Sequence, residues 1–459
     1  MISDSESDFR IFDRILILGT AILLSLNIFP GRFVIWVVLG VLIFLFIRMG
    51  LVTLLAALSL SGLFLLALIK QKLVMSASLL VLIQTFLTIL LIYSKTIFKT
   101  SNSLNSNSLK NYRIWIIFLY ILILVQYLLG PRTSYSDFLI QYFLLYASYY
   151  IITGFLVVRF GIKLDQLLLP SVFFLCLMYP LINISIIDLP KIMLSNMQAQ
   201  VYGLRMIKGY GAIGHDRIAA QTILLICLSF VTSQYKNKIL PEIFIGIILA
   251  LPIIWFGYSR QSLIGTFFGV FLIFIKTAFQ KRFTGFKTQQ KYLILLFIII
   301  AVYLSFSWIS TEIDTNISSR YAKFGILKTN DESSYTRLSL WKLSWKYIQE
   351  NPIFGYGLGG FGKLYARGKR GWPHNWFLES WIEYGIFGLI IFIIGAFYLI
   401  NSFLKNNNKY IACWSILGLF WLFVVQVSSN IPENSPIFFF ITIAALSSDT
   451  SYDKKLYQK

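Results

Sequence analysis

The sequence predicts an all-α, polytopic transmembrane helix bundle of about 12–14 helices with a large extracytoplasmic loop, and three observations lead there. The 459-residue chain is 57% apolar and only 13% charged, whereas soluble domains carry about 25% charged residues. Apolar runs such as residues 73–93 and 292–310 are long enough to cross a hydrocarbon core of roughly 30 Å as helices. The alternating ten-residue pattern of a membrane β-barrel is absent from the sequence. Helices are then the one way for a spanning backbone to satisfy its polar groups away from water.

In chain order, apolar runs fall near residues 14–29, 33–47, 51–69, 73–93, 113–129, 137–158, 166–187, 215–233, 239–256, 261–275, 292–310, 376–404, 410–428 and 435–448. The leader MISDSESDFR is acidic and no small-residue cleavage pattern follows it, so the first run reads as a retained helix. Residues 1–310 thus form membrane helices with short connections, interrupted twice. Residues 94–112 are polar, basic and rich in Ser and Asn, which reads as a flexible cytoplasmic loop. Residues 188–214 form a medium outer loop. Residues 311–372 are too long and too aromatic for a linker and read as an extracytoplasmic cap containing amphipathic helix. Residues 373–459 supply the last membrane helices and a short cytoplasmic tail.

Within the cap, Leu338, Trp341, Trp345 and Ile348 recur at three-to-four spacing, which predicts one apolar helical face with Lys342, Lys346 and Glu350 mostly opposite. Asn351-Pro352 ends that helix, and the glycines of GYGLGGFG permit a tight turn. A Trp-lined helix of this kind either lids a site at the membrane interface or only packs on the bundle.

A net charge of +21 raises the possibility of nucleic acid, but its distribution follows membrane topology. With the N-terminus inside, alternate loops hold about half of the Lys and Arg residues, as the positive-inside rule requires. Lys95, Lys99, Lys110, Arg159, Lys163, Lys236, Lys238 and the run from Lys276 to Lys291 belong to that inner set. Both termini are therefore expected in the cytoplasm, with membrane lipids and no nucleic acid as partners. Cys176, Cys227 and Cys413 lie in apolar runs without metal-like spacing and read as packing residues. There is no GxxxxGK[ST] loop, no HExxH and no Cys/His cluster. Glu312 and Asp314 form a lone spaced pair, so neither a metal nor a cofactor is expected.

The chemistry-bearing residues gather on the outer side. Arg217, in GHDRIAAQT, begins one apolar run, and Arg260, in GYSRQSLIG, lies in a very short outer turn. Arg is costly near lipid and usually faces a watery cavity or the bundle interior. Its planar fork suits bidentate binding of phosphate, with helix N-termini adding backbone N–H groups; the alternative is that each snorkels to headgroups. His374 sits at the mouth of the run 376–404, where the positive end of the helix dipole disfavours the imidazolium and favours a neutral ring able to accept a proton. Its structural alternative is to cap the helix or bond the loop. Asn375, Glu379 and Glu383 follow at four-residue spacing on one face; the carboxylates either orient His374, pair with the arginines, or form a structural ion pair. The other histidine, His215, also falls at a helix mouth.

Three pieces of sequence resemble the O-antigen ligase and polymerase superfamily of bacterial envelope glycan enzymes: YSRQSL, RLSLWKLSWKYIQENPIFGYGLGGF and HNWFLESWIEYGIFGLIIF, within about residues 258–395. The combination of an R-x-x-x-W helix (Arg337 and Trp341), N-P-hydrophobic-x-G-x-G and H-N before a helix carries the resemblance. Arg217 matches the family's outer-loop arginine by position only. The resemblance implies a metal-independent, inverting transferase in the bacterial inner membrane, its site facing the periplasm or exterior. The implied donor is a glycan on undecaprenyl pyrophosphate. On that pattern His374 deprotonates or orients the acceptor hydroxyl, and Arg217 and Arg260 hold the departing pyrophosphate. The acceptor would be a lipid A–core sugar in a ligase, or another lipid-linked glycan in a polymerase; His374-Asn375 followed past nine residues by Gly385 and Gly388 leans to the ligase. A polyprenyl-linked glycan transporter or flippase is the alternative of another class, and internal repeats, its expected mark, are not evident in the sequence.

Overall fold

The computed structural model describes residues 11–26, 31–60, 106–130, 132–176, 206–207, 211–212, 215–232, 241–256, 260–279, 332–366, 371–406, 408–426 and 435–447. The runs 73–93 and 292–310 and the pair Glu312 and Asp314 lie outside them. The described residues are helical apart from turns, loops and one two-residue antiparallel ladder, Met206–Ile207 (β1) with Gly211–Ala212 (β2).

The helices follow the apolar runs closely. They are α1 (Ile11–Ser25), α2 (Gly31–Met49), α3 (Leu51–Leu60), α4 (Ser106–Leu129), α5 (Ser134–Tyr142), α6 (Ser148–Phe160) and α7 (Leu168–Cys176) in the first half. The second half holds α8 (His215–Thr232), α9 (Pro241–Phe256), α10 (Arg260–Phe279), α11 (Glu332–Glu350), α12 (Gly360–Ala366), α13 (Trp376–Lys405), α14 (Lys409–Val425) and α15 (Pro436–Leu446). Two expectations need correcting. Residues 106–112 continue α4 as helix rather than belonging to a loop, because no Pro or Gly interrupts SNSLKNY. The single run 137–158 is broken by a π-helical turn at Phe143–Ala147 between α5 and α6.

Two helices among the described residues, Ser108–Leu129 and Trp376–Lys405, are long and apolar enough to cross a membrane, with shorter apolar helices beside them. Packing of α4 agrees with an apolar surrounding. Tyr112, Trp115, Leu119 and Ile123 face the core, while Ile117, Phe118, Ile121 and Leu128 are exposed. A helix apolar on its outer face as well as its inner one is characteristic of a membrane segment. Trp115 Nε1 donates to the Ile391 carbonyl at 2.8 Å, and the hydroxyls of Tyr112 and Thr442 pair at 2.6 Å, locking α4 to α13 and α15. Every residue of α15 is buried. The three cysteines are buried.

Polar contacts tie helix ends together at two places. Arg14 pairs with Glu242 at 2.5 Å and Arg48 with Asp13 at 2.9 Å, so the starts of α1 and α9 and the end of α2 lie together. The ends of α10 and α13 meet where Lys276 Nζ donates to the Phe403 carbonyl. Asp13 and Glu242 are almost fully buried, and such carboxylates persist only when partnered.

Candidate functional site

The end of the molecule away from Lys276 is organised by a break in α13. Gly385 has φ 66° and ψ −162° within an otherwise helical 30-residue segment, a region open essentially to glycine alone. The break releases backbone groups that the helix would have paired internally, and the glycine-rich loop after α11 takes them up. Tyr356 N–H donates to the Ile382 carbonyl at 2.7 Å and Gly357 N–H to the Glu383 carbonyl at 3.0 Å, while Ile386 N–H donates to the Pro352 carbonyl at 3.0 Å. Gly355, Gly357 and Gly359 all have positive φ, which lets the loop turn in so little space. The fit tolerates no side chain: a Cβ on Gly385 would stand 2.0 Å from the Ile353 carbonyl oxygen, and one on Gly355 2.6 Å from Gly385 N. The end of α4 closes the seat, where Gln126 Nε2 donates to the Phe354 carbonyl at 2.8 Å.

The glycine loop carries α11 onto α13. Its buried positions are Leu340, Ser344 and Ile348, whereas Leu338 and Trp345 are 52% and 48% exposed. The buried face is therefore rotated from the one that the spacing predicts. Trp345 still meets Trp381 edge-on at 5.7 Å, and Trp381 Nε1 donates to the Pro352 carbonyl at 3.0 Å. Small Ser344 lies on the buried side because α11 packs closely against α13, and its hydroxyl is satisfied within the helix by the Leu340 carbonyl. Size, rather than polarity, decides that face.

Trp341 points elsewhere: its Nε1 donates to the Pro373 carbonyl at 2.9 Å, immediately before His374. The R-x-x-x-W helix thus holds the histidine loop directly. His374 has φ 56° and is the one non-glycine residue with positive φ among the described residues. It does not open α13, as the sequence led us to expect. Asn375 is the N-cap, accepting from Leu378 N–H at 3.0 Å, and His374 stands one residue outside. A left-handed residue before the cap costs on the order of 1 kcal/mol, and here the surrounding bonds impose it. Trp372 Nε1 donates to His374 Nδ1 at 3.2 Å. Replacing Trp341 by Phe leaves the buried Pro373 carbonyl without its donor, at a cost of about 1–3 kcal/mol. We expect the melting temperature to fall by a few degrees with the fold retained; thermal melting checks this, and an unchanged melting temperature would detach α11 from the histidine loop.

Separate polar contacts lie along α14 and α8 between Asn375 and the helix that carries Arg217. Asn375 Nδ2 donates to the Gln426 carbonyl at 3.2 Å, at the end of α14. Five residues earlier, Trp421 Nε1 donates to Gln221 Oε1, and Gln221 Nε2 donates to the Leu60 carbonyl at 2.8 Å. Arg217 lies four residues before Gln221 on α8, hence on the same helix face, and is 8% exposed. Gly265 of α10 packs against Phe420 and Val424 of α14, which brings the start of α10, Arg260, to this same end. His215, as the first residue of α8, begins there too. Arg337 lies one turn before Trp341 on α11, half-buried.

Glu379 and Glu383 are both buried one turn apart on α13. Glu383 faces the glycine loop, where the backbone N–H of Gly359 favours its carboxylate. On the loop side, burial and the bond from the Tyr356 hydroxyl to Glu350 at 3.1 Å raise the Tyr356 pKa above that of a free phenol. Sequence reasoning missed Trp372, Gln221, Trp421 and Gln426, the connectors of the site. Signals exist for two of them: Gln221 follows Arg217 by one turn, and Trp372 precedes His374 by two residues.

Residues 245–393 match the family model of O-antigen ligase. That segment contains Arg260, Arg337, His374, Asn375, Glu379 and Glu383 and ends inside α13; Arg217 and His215 precede it. An uncharacterized protein of Haemophilus influenzae (strain Rd) is 29% identical over 225 residues, 44% of this chain. The match covers 53% of that relative, so the chain spans about half its length. The family match supports placement in the O-antigen ligase superfamily, and with it membrane association.

Proposed function

We infer that this protein transfers an oligo- or polysaccharide from undecaprenyl pyrophosphate to a hydroxyl acceptor at the outer face of the inner membrane. The observation that carries the reading is the convergence of His374, Arg217 and the start of α10 at one end of the helices, beneath a segment tied to His374 through Trp341. Within that reading, 311–372 is the cap and both termini are cytoplasmic. The acid–base pairs of α1, α2 and α9 at the far end agree with this sidedness, because the basic loops belong inside.

His374, beside the loop edge, meets the acceptor hydroxyl. Arg217 and Arg260 hold the departing pyrophosphate, taking up charge that develops as the glycosidic bond breaks. The burial of Arg217 strengthens its attraction relative to water. The spacing from His374-Asn375 to Gly385 and Gly388 leans the acceptor toward a lipid A–core sugar, with another lipid-linked glycan as the alternative. Glu383 and Asn375 act by holding the loops, not by touching the substrates.

Arg260→Lys is expected to lose most activity, because a point charge cannot replace a bidentate fork. The check is turnover with a purified lipid-linked glycan, alongside binding of undecaprenyl pyrophosphate itself. Near-normal turnover in the lysine variant would remove Arg260 from the pyrophosphate site.

A further inference from the structure

We propose that Trp372 holds the His374 ring in a single tautomer, so that His374 meets the acceptor hydroxyl as a hydrogen-bond donor from Nε2 and not as its base. This rests on the reading of His374 as the acceptor-side residue and narrows what that residue does. An indole Nε1–H can only donate, and it lies 3.2 Å from His374 Nδ1. Nδ1 must therefore present its lone pair, and a neutral imidazole then carries its proton on Nε2. A ring in that form offers a donor at Nε2, the opposite of what a general base at that atom requires.

Neighbours on three sides limit any escape. The Trp372 and His374 rings meet at 5.7 Å and 63°, and Trp341 fixes the Pro373 carbonyl on one side of the histidine. On the other side Asn375 is fixed twice, through Leu378 N–H and the Gln426 carbonyl. The left-handed backbone of His374 sets the direction in which the ring leaves the chain. Swapping tautomers would mean breaking the indole bond while the backbone stays in place.

The step still balances without a base. The acceptor oxygen forms its bond to the anomeric carbon, the bond from that carbon to the pyrophosphate oxygen breaks, and its electron pair leaves with the pyrophosphate. The acceptor's proton departs to water or to a released phosphate oxygen once the new bond has formed. Late proton loss suits an oxocarbenium-like transition state, in which bond breaking runs ahead of attack. His374 donating from Nε2 to the acceptor oxygen fixes the position of that oxygen and leaves a lone pair for attack. Trp372 is a positioning residue in this scheme.

The experiment uses the full chain in lipid nanodiscs with ¹⁵N-labelled histidine, and His215→Gln to leave one imidazole signal. At a pH where the ring is neutral, His374 should show an unprotonated Nδ1 and a protonated Nε2, and Trp372→Phe should convert this to a tautomer mixture. A protonated Nδ1 in the starting protein, or an unchanged tautomer in Trp372→Phe, overturns the proposal. Turnover supplies the second arm. A glutamine amide can donate where Nε2 does, so His374→Gln should exceed His374→Ala by about tenfold, the worth of one hydrogen bond. Equal turnover in the two overturns the donor role, whereas wild-type turnover in His374→Ala overturns the underlying placement of His374. Should Trp372→Phe fail to fold, the tautomer of the starting protein and the Gln–Ala comparison still decide.

Discussion

Replacing His374 with alanine should lower glycan transfer by about 10²–10³-fold, the range for losing a positioned hydrogen-bond donor that acts in a transition state. Folding should change far less. His374 lies in the left-handed backbone region, which alanine occupies at a cost of about 1 kcal/mol relative to residues that tolerate it. His374→Asn separates the two effects, because asparagine adopts that conformation readily but has no imidazole. The expected pattern is near-normal melting for His374→Asn with transfer as low as in His374→Ala. If the asparagine variant kept wild-type transfer, the left-handed turn would be what matters at this position and the ring would have no role.

Gly385→Ala carries the largest expected structural effect. The new Cβ would stand 2.0 Å from the Ile353 oxygen and 2.5 Å from the Ile353 carbon, both backbone atoms that cannot swing aside. The conformation itself is one that alanine avoids. The strain of the backbone and the forced displacement together amount to roughly 3–5 kcal/mol. Such a sum is a large share of the stability of an ordinary domain. We expect the glycine loop to lift from α13, with loss of the Tyr356, Gly357 and Ile386 bonds and new protease cleavage near residues 352–359. Gly40, on an exposed face of α2, has no neighbouring atom within 4 Å of where a Cβ would stand; Gly40→Ala should leave stability unchanged or raise it by about 0.5–1 kcal/mol. Thermal melting of the two variants side by side checks this contrast. Equal melting temperatures would mean that the break at Gly385 is not held by the loop.

The helices are largely legible in the sequence because apolar length is a strong signal and nothing else competes with it. The run 376–404 corresponds to α13 at 376–405, and 435–448 to α15 at 436–446. Where pattern and structure part, local chemistry gives way to packing. The three-to-four pattern of α11 points Leu338 and Trp345 inward, but close approach to α13 favours the small Ser344. The end of the polar loop at 106–112 joins α4 because polar residues alone do not stop a helix. At the site, the sequence points to His374 and to the loop glycines, but not to their mutual arrangement. Nothing in GYGLGGFG says that its backbone N–H groups answer carbonyls freed at Gly385. Nor does the spacing of Trp341 and Pro373 reveal their bond, which joins residues 32 positions apart. Such long-range contacts leave no periodicity to read.

The most direct test reconstitutes the purified protein in liposomes with an undecaprenyl-pyrophosphate-linked glycan and supplies a lipid A–core acceptor at the outer face. Transfer and transbilayer movement of the glycolipid are then followed in the same vesicles. The expected result is a new glycoside of inverted anomeric configuration, release of undecaprenyl pyrophosphate, and loss of both in His374→Ala. Movement of intact glycolipid across the bilayer with no new glycosidic bond would contradict it.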